Sequence, residues 1–82
     1  MVVSDTVLSI RVSAALVNDP RIDAMGVTVG VRDGFVTLEG RVATEDERMV
    51  AGEIARGIRG VAGVENLVQV DDTPGAPRLN FG

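Results

Sequence analysis

The chain has 82 residues, a net charge of −4, and neither cysteine nor histidine. That length allows one domain, and a domain this small buries only about 60% of the surface its unfolded chain exposes. The composition excludes a disulfide framework, a thiolate metal site and the commonest general base, and the charge disfavours a duplex nucleic acid as a default partner.

Ser4 or Asp5 can cap a first helix running to about Val17. Leu8, Val12, Ala15 and Leu16 fall at i, i+4, i+7 and i+8, which makes one apolar stripe. Val7, Ile10, Ala14 and Val17 form a second stripe beside it; a helix apolar on two sides is either wedged between partners or partly exposed, and the plainer expectation is a broad buried face. Asn18-Asp19-Pro20 stops the helix, because the residue before a proline is driven out of the α region.

Val27 to Val42, VTVGVRDGFVTLEGRV, reads as a β-hairpin with Asp33-Gly34 as a two-residue type I′ turn. That turn sets Arg32 opposite Phe35, Val31 opposite Val36 and Val29 opposite Leu38. Val27, Val29, Val31, Val36, Leu38 and Val42 then share the core face. Thr28, Gly30, Arg32, Phe35, Thr37, Glu39 and Arg41 share the other. A slip of one residue would turn every valine to water, so the pattern holds the register and places Phe35 outside.

Thr44-Glu45-Asp46-Glu47 is a capping box, with Glu47 expected to reach back to Thr44. The helix it starts is predicted to run to about Arg59 and to end at Gly60, with Ala51, Ile54, Ala55 and Ile58 buried. A third strand is predicted from Val64 to Val70, with Val64, Val68 and Val70 inward, Glu65, Leu67 and Gln69 outward, and Asn66 near its start, bonding loop backbone. Residues 1–72 form the domain, and residues 73–82, opening on Thr73-Pro74-Gly75-Ala76-Pro77, read as a flexible C-terminal tail. The expected fold is α+β: a two-layer sandwich in the order helix-strand-strand-helix-strand. Its sheet is mixed and three-stranded, with both helices on one face.

This order, and the residues that carry it, resembles the BON domain, named for bacterial osmotically induced and nodulation proteins. The similar positions are Asp5, Leu8, Val12, Ala15 and Leu16 in the first helix and Asp33-Gly34, Val36, Leu38, Gly40 and Val42 in the hairpin. In the last third they are Glu47-Arg48, Ala51, Ala55, Gly60-Val61, Val64, Asn66, Val68 and Val70. The resemblance covers roughly Asp5 to Val70. It implies a non-catalytic, stress-related binding module, one that engages phospholipid surfaces and occurs, often in pairs, in envelope and periplasmic proteins. Here there is one copy, without lysine, and with no export signal visible in residues 1–17.

From the residues themselves the expected binding surface is the uncovered sheet face, with Arg32, Phe35, Thr37, Arg41 and Leu67. The partner that the resemblance implies is a phospholipid or envelope surface; the acidic charge favours instead a protein or second copy of the chain docking there or on the second stripe of the first helix. No catalytic residue, metal or cofactor is expected, and no transmembrane segment. Gly57-Ile58-Arg59-Gly60 matches the GxxG loop of RNA-binding domains, but a glycine is expected where a helix ends, and nucleic acid is not expected as a partner. The expected location is the cytoplasm if Met1 is the natural start, and the envelope if the chain is cut from a longer precursor.

Overall fold

A computed structural model describes residues 3–71. The tail expected over 73–82 lies outside the described residues. Helix α1 spans Asp5–Asn18, and its N-cap is Ser4, whose hydroxyl accepts from the Val7 amide at 3.2 Å. Leu8, Val12 and Leu16 are at most 1% exposed. The second stripe is not part of a broad buried face, contrary to the sequence expectation. Val7, Ile10 and Val17 are 39, 62 and 72% exposed, and Ala14 is exposed with them. The reason is the two-layer build: α1 packs on β1 and on α2, and among the described residues no third layer covers its outer side.

A single 3₁₀ turn, Ala24–Gly26, leads into β1, Val27–Arg32. β1 pairs antiparallel with β2, Phe35–Val42, in the expected register: Val29 with Leu38, Val31 with Val36 and Arg32 with Phe35. Asp33 and Gly34 have φ of 52° and 84°, as a type I′ turn requires. Near the other end of the hairpin two glycines bring backbone against backbone. Gly40 has φ of 120°, and a Cβ there would collide with the Gly26 carbonyl.

Helix α2 spans Glu45–Arg56, and the Thr44 hydroxyl accepts from the Glu47 amide at 3.1 Å. The Glu47 carboxylate does not reach back to Thr44. It accepts from the amides of Ala43 at 2.9 Å and Asp23 at 3.2 Å, so it ties the helix start to the loop before β1. The helix also stops earlier than the expected Arg59. Gly57 donates to both Glu53 and Ile54, and Ile58 and Val61 donate three residues back, so the last turn tightens and Arg59 lies beyond it.

The crossover through α2 sets β3, Gly63–Asn66, parallel to β2. The expected single third strand is interrupted at Leu67-Val68 and resumes as β4, Gln69–Val70, still parallel to β2 and at the same offset. Asn66 lies at the end of β3 rather than near the start of the strand. Its side chain donates to the Arg48 carbonyl in α2 at 2.7 Å and accepts from the Val68 amide at 3.2 Å. Gly52 makes room for it, since a Cβ at that position would stand 3.0 Å from the Asn66 amide nitrogen. Val36, Leu38, Val42 and Val68 meet α1 and α2 in one core, which also takes Ile22, Ala51 and Ala55. The result is the expected α+β sandwich, with the opposite face of the sheet uncovered among the described residues.

Candidate binding surface

The register fixes what the uncovered face displays. Its first row is Arg32, Phe35 and Gly63; its second is Gly30, Thr37 and Glu65; Thr28 and Glu39 follow, then Arg41 and Gln69. Pairs Leu38–Asn66 and Arg41–Gln69 keep one offset, so Leu67 falls beside Glu39. Phe35 is 59% exposed and Leu67 46%. The Phe35 ring lies across Gly63, where an added Cβ would stand 3.0 Å from two ring carbons. The ring is thus seated on backbone while its outer side faces solvent.

The five residues expected at the surface therefore share one face, but they do not form one patch. Phe35 and Leu67 are separated by four residues along the strands, about 13 Å, with Thr37 and Glu65 between. Arg32 stands opposite Phe35. Arg41 lines an open depression with Leu67, Glu39, Gly40 and Gln69. Thr37 is half-buried and the two arginines are exposed. Each apolar anchor thus has an arginine for a neighbour, and Glu39 and Glu65 offset that charge.

Two further features bear on the site. The Asp5 carboxylate accepts from the Asp33 amide at 2.8 Å and from the Gly34 amide at 3.0 Å. It clamps the start of α1 to the hairpin turn, and so fixes the corner that carries Arg32 and Phe35. A short-range reading treats Asp5 only as a cap, and nothing in its neighbours announces a partner 28 residues away. The second feature is the outer side of α1, expected from the sequence as an alternative docking surface but not as an exposed one. Val7, Ile10, Ala14 and Val17 lie in one line about 15 Å long, and Arg11 is the only charged residue of the helix besides Asp5.

Ion pairs lie away from both surfaces. The Arg21 guanidinium hydrogen-bonds Asp19 and the Arg48 guanidinium hydrogen-bonds Glu45, and each holds its partner's carboxyl below the ordinary range. Of the carboxylates that open α2, Glu45 and Glu47 are engaged in this way or by backbone amides. Among the described residues no cluster of acidic side chains has the arrangement of a metal site, and no helix is long and apolar enough to cross a membrane.

Comparison with curated proteins gives no match. The family model described as "BON domain" matches residues 4–72, which takes in every element described above. That family comprises non-catalytic modules associated with phospholipid binding and interaction. The positions that suggested the likeness are those that build this fold: the Asp33-Gly34 turn, the Gly40 contact and the Asn66 bridge. The chain belongs to the BON domain family.

Proposed function

We propose that this domain is a non-enzymatic binding module that attaches to a phospholipid or envelope surface through its uncovered sheet face. One observation carries the reading: Phe35 is 59% exposed yet seated on Gly63, an anchor set before any partner arrives. Burying Phe35 and Leu67 in an apolar environment is worth about 1.5–3 kcal/mol each for a fully exposed side chain, and about half that from their present exposure. Arg32 and Arg41 reach headgroup phosphates beside the two anchors, at about 1 kcal/mol each. Glu39 and Glu65 act against them, so insertion rather than net charge supplies most of the attachment.

Flotation with neutral and anionic vesicles, at low and high salt, tests this. The domain is expected to float with both, more with anionic vesicles at low salt, and Phe35→Ala and Leu67→Ala are each expected to reduce the floated fraction. Absence from both vesicle types at low salt would refute it.

The outer stripe of α1 favours a second reading, a protein-contact or self-association module, because Ile10 and Val17 are more exposed than either sheet anchor. A sedimenting species larger than a monomer, abolished by Ile10→Glu and not by Phe35→Ala, would select it.

A further inference from the structure

The hairpin turn carries a chemical liability along with its geometry. Asp33 is the one non-glycine residue held at positive φ among the described residues, at 52°, and glycine follows it. A type I′ turn favours this pair because both of its central residues need positive φ. It is also the pair in which a backbone amide most readily attacks the side chain before it, since glycine has no side chain to shield its nitrogen. Asp33 is exposed and Gly34 half-buried, and both line an open depression with Val3, Ser4, Asp5, Gly60 and Ala62. Solvent therefore reaches the reacting atoms.

The reaction is a dehydration followed by a hydrolysis. The Gly34 nitrogen gives its proton to solvent and attacks Cγ of the Asp33 side chain in its acid form. An N–Cγ bond forms, the Cγ–OH bond breaks and a water leaves, which closes a five-membered succinimide ring. Water then adds to one of the two ring carbonyls and opens it. Opening at Cγ restores aspartate. Opening at the main-chain carbonyl carbon leaves the chain running through Cβ and Cγ, an isoaspartate. The water lost in the first step is regained in the second, and nothing is oxidised or reduced.

In this fold the nitrogen is not free to attack. The Gly34 amide donates to one oxygen of the Asp5 carboxylate at 3.0 Å, and the Asp33 amide donates to the other at 2.8 Å. The Gly34 carbonyl accepts from the Ala62 amide at 2.8 Å. The peptide unit between Asp33 and Gly34 cannot turn its nitrogen toward Cγ until these bonds open. A carboxylate beside that nitrogen also opposes the negative charge that develops there as the proton leaves.

We propose that Asp33-Gly34 is a modification site, an isoaspartate-forming bond, and that Asp5 is the residue that suppresses it. Isoaspartate puts one more carbon into the backbone between Arg32 and Phe35, so the turn is no longer the one that sets their register. The proposal stands whichever partner the sheet face meets.

Ageing the full 82-residue chain at physiological temperature and mildly acidic pH tests it. Isoaspartate at residue 33 is read by peptide mapping, where the isoaspartyl peptide separates from the aspartyl one at equal mass. A synthetic peptide of residues 31–37 sets the unguarded rate. The wild-type chain is expected to react at least about tenfold more slowly than the peptide, and Asp5→Ala about tenfold faster than the wild type, because the reaction runs from the opened turn. Asp5→Asn keeps one acceptor oxygen and is expected to fall between them. Ser4→Ala removes the α1 cap without touching either clamp bond, and is expected to age as the wild type does. Slow hydrogen exchange at the Leu38 amide checks that each variant is folded. A wild-type chain as fast as the peptide would overturn the proposal. So would an Asp5→Ala chain no faster than the wild type, the result expected if the carboxylate instead served as base for the Gly34 proton. A Ser4→Ala chain as fast as Asp5→Ala would also overturn it, since loosening of the whole corner would then be the cause.

Discussion

Truncating Phe35 and Leu38 separately is the sharpest test of which sheet face is which. The two residues lie three apart on β2 and point to opposite sides. Leu38 is 0% exposed and sits in the core beneath both helices. Leu38→Ala removes its transfer energy and leaves a cavity, for an expected loss of about 2–5 kcal/mol. Phe35 is 59% exposed. Full burial of such a side chain is worth about 1.5–3 kcal/mol, and the buried two-fifths scale this to about 0.6–1.2 kcal/mol for Phe35→Ala. A urea titration separates the two, with the slope expected to be unchanged and only the midpoint to move. A loss of 3 kcal/mol or more at Phe35, the cost of a buried phenylalanine at about 3–5 kcal/mol, would refute the uncovered face. A near-neutral Leu38→Ala would mean that the faces are reversed.

Gly40→Ala is expected to cost about 3 kcal/mol or more in the same titration. It forces a side chain into φ of 120° and against the Gly26 carbonyl, and a cost under about 1 kcal/mol would refute that contact. Asp5→Ala leaves the amides of Asp33 and Gly34 without their acceptor, with an expected loss of about 1–3 kcal/mol. Their hydrogen exchange should quicken, and unchanged exchange there would refute the clamp. Gly30→Thr is expected to stabilise by about 0.5–1 kcal/mol, because the nearest atom to its new Cβ is the Thr37 carbonyl oxygen at 4.0 Å and the strand gains a β-branched residue. If the sheet face binds vesicles, the same variant should float less. Asp19 and Glu45 have carboxyls held low by hydrogen bonds from Arg21 and Arg48, against ordinary values of 3.8 and 4.5. The unfolded chain then binds more protons as pH falls, so their contribution is complete above those values and is lost as pH drops through the lower folded ones. The urea midpoint should fall across that window, less so in Arg48→Gln, and a flat midpoint would contradict the pairing.

What the sequence disclosed and what it hid divide along the distance over which each signal acts. The hairpin register was legible because turn chemistry and alternation are local, and they agree with each other. The parallel placement of β3 was legible because a crossover through a helix has one favoured hand. Local rules assign Asp5 and Glu47 each to its own helix, and each instead bonds backbone outside it: Asp5 at the hairpin turn, Glu47 at Ala43 and Asp23. Asn66 likewise joins β3 to α2 across 18 residues, a partner that no spacing rule names.

The α1 stripe failed for a different reason. Apolar residues at helical spacing say that a face avoids water, and they are silent on how many layers the domain has to cover it. With two helices over a three-strand-wide sheet, α1 packs on β1, α2 and the 3₁₀ turn, and among the described residues nothing lies over its outer side. Leu8, Val12 and Leu16 take the core, and Val7, Ile10 and Val17 are left outside. The candidate surface follows the same logic. Phe35 could be placed outside from the turn alone, but its distance from Leu67 depends on the parallel offset of β3 and β4, which only the assembled sheet supplies. That separation makes the face two anchors, each with its own arginine. A double Phe35→Ala, Leu67→Ala variant should therefore lose vesicle binding as the sum of the two single losses, since groups this far apart with no shared partner are additive within about 0.3–0.5 kcal/mol.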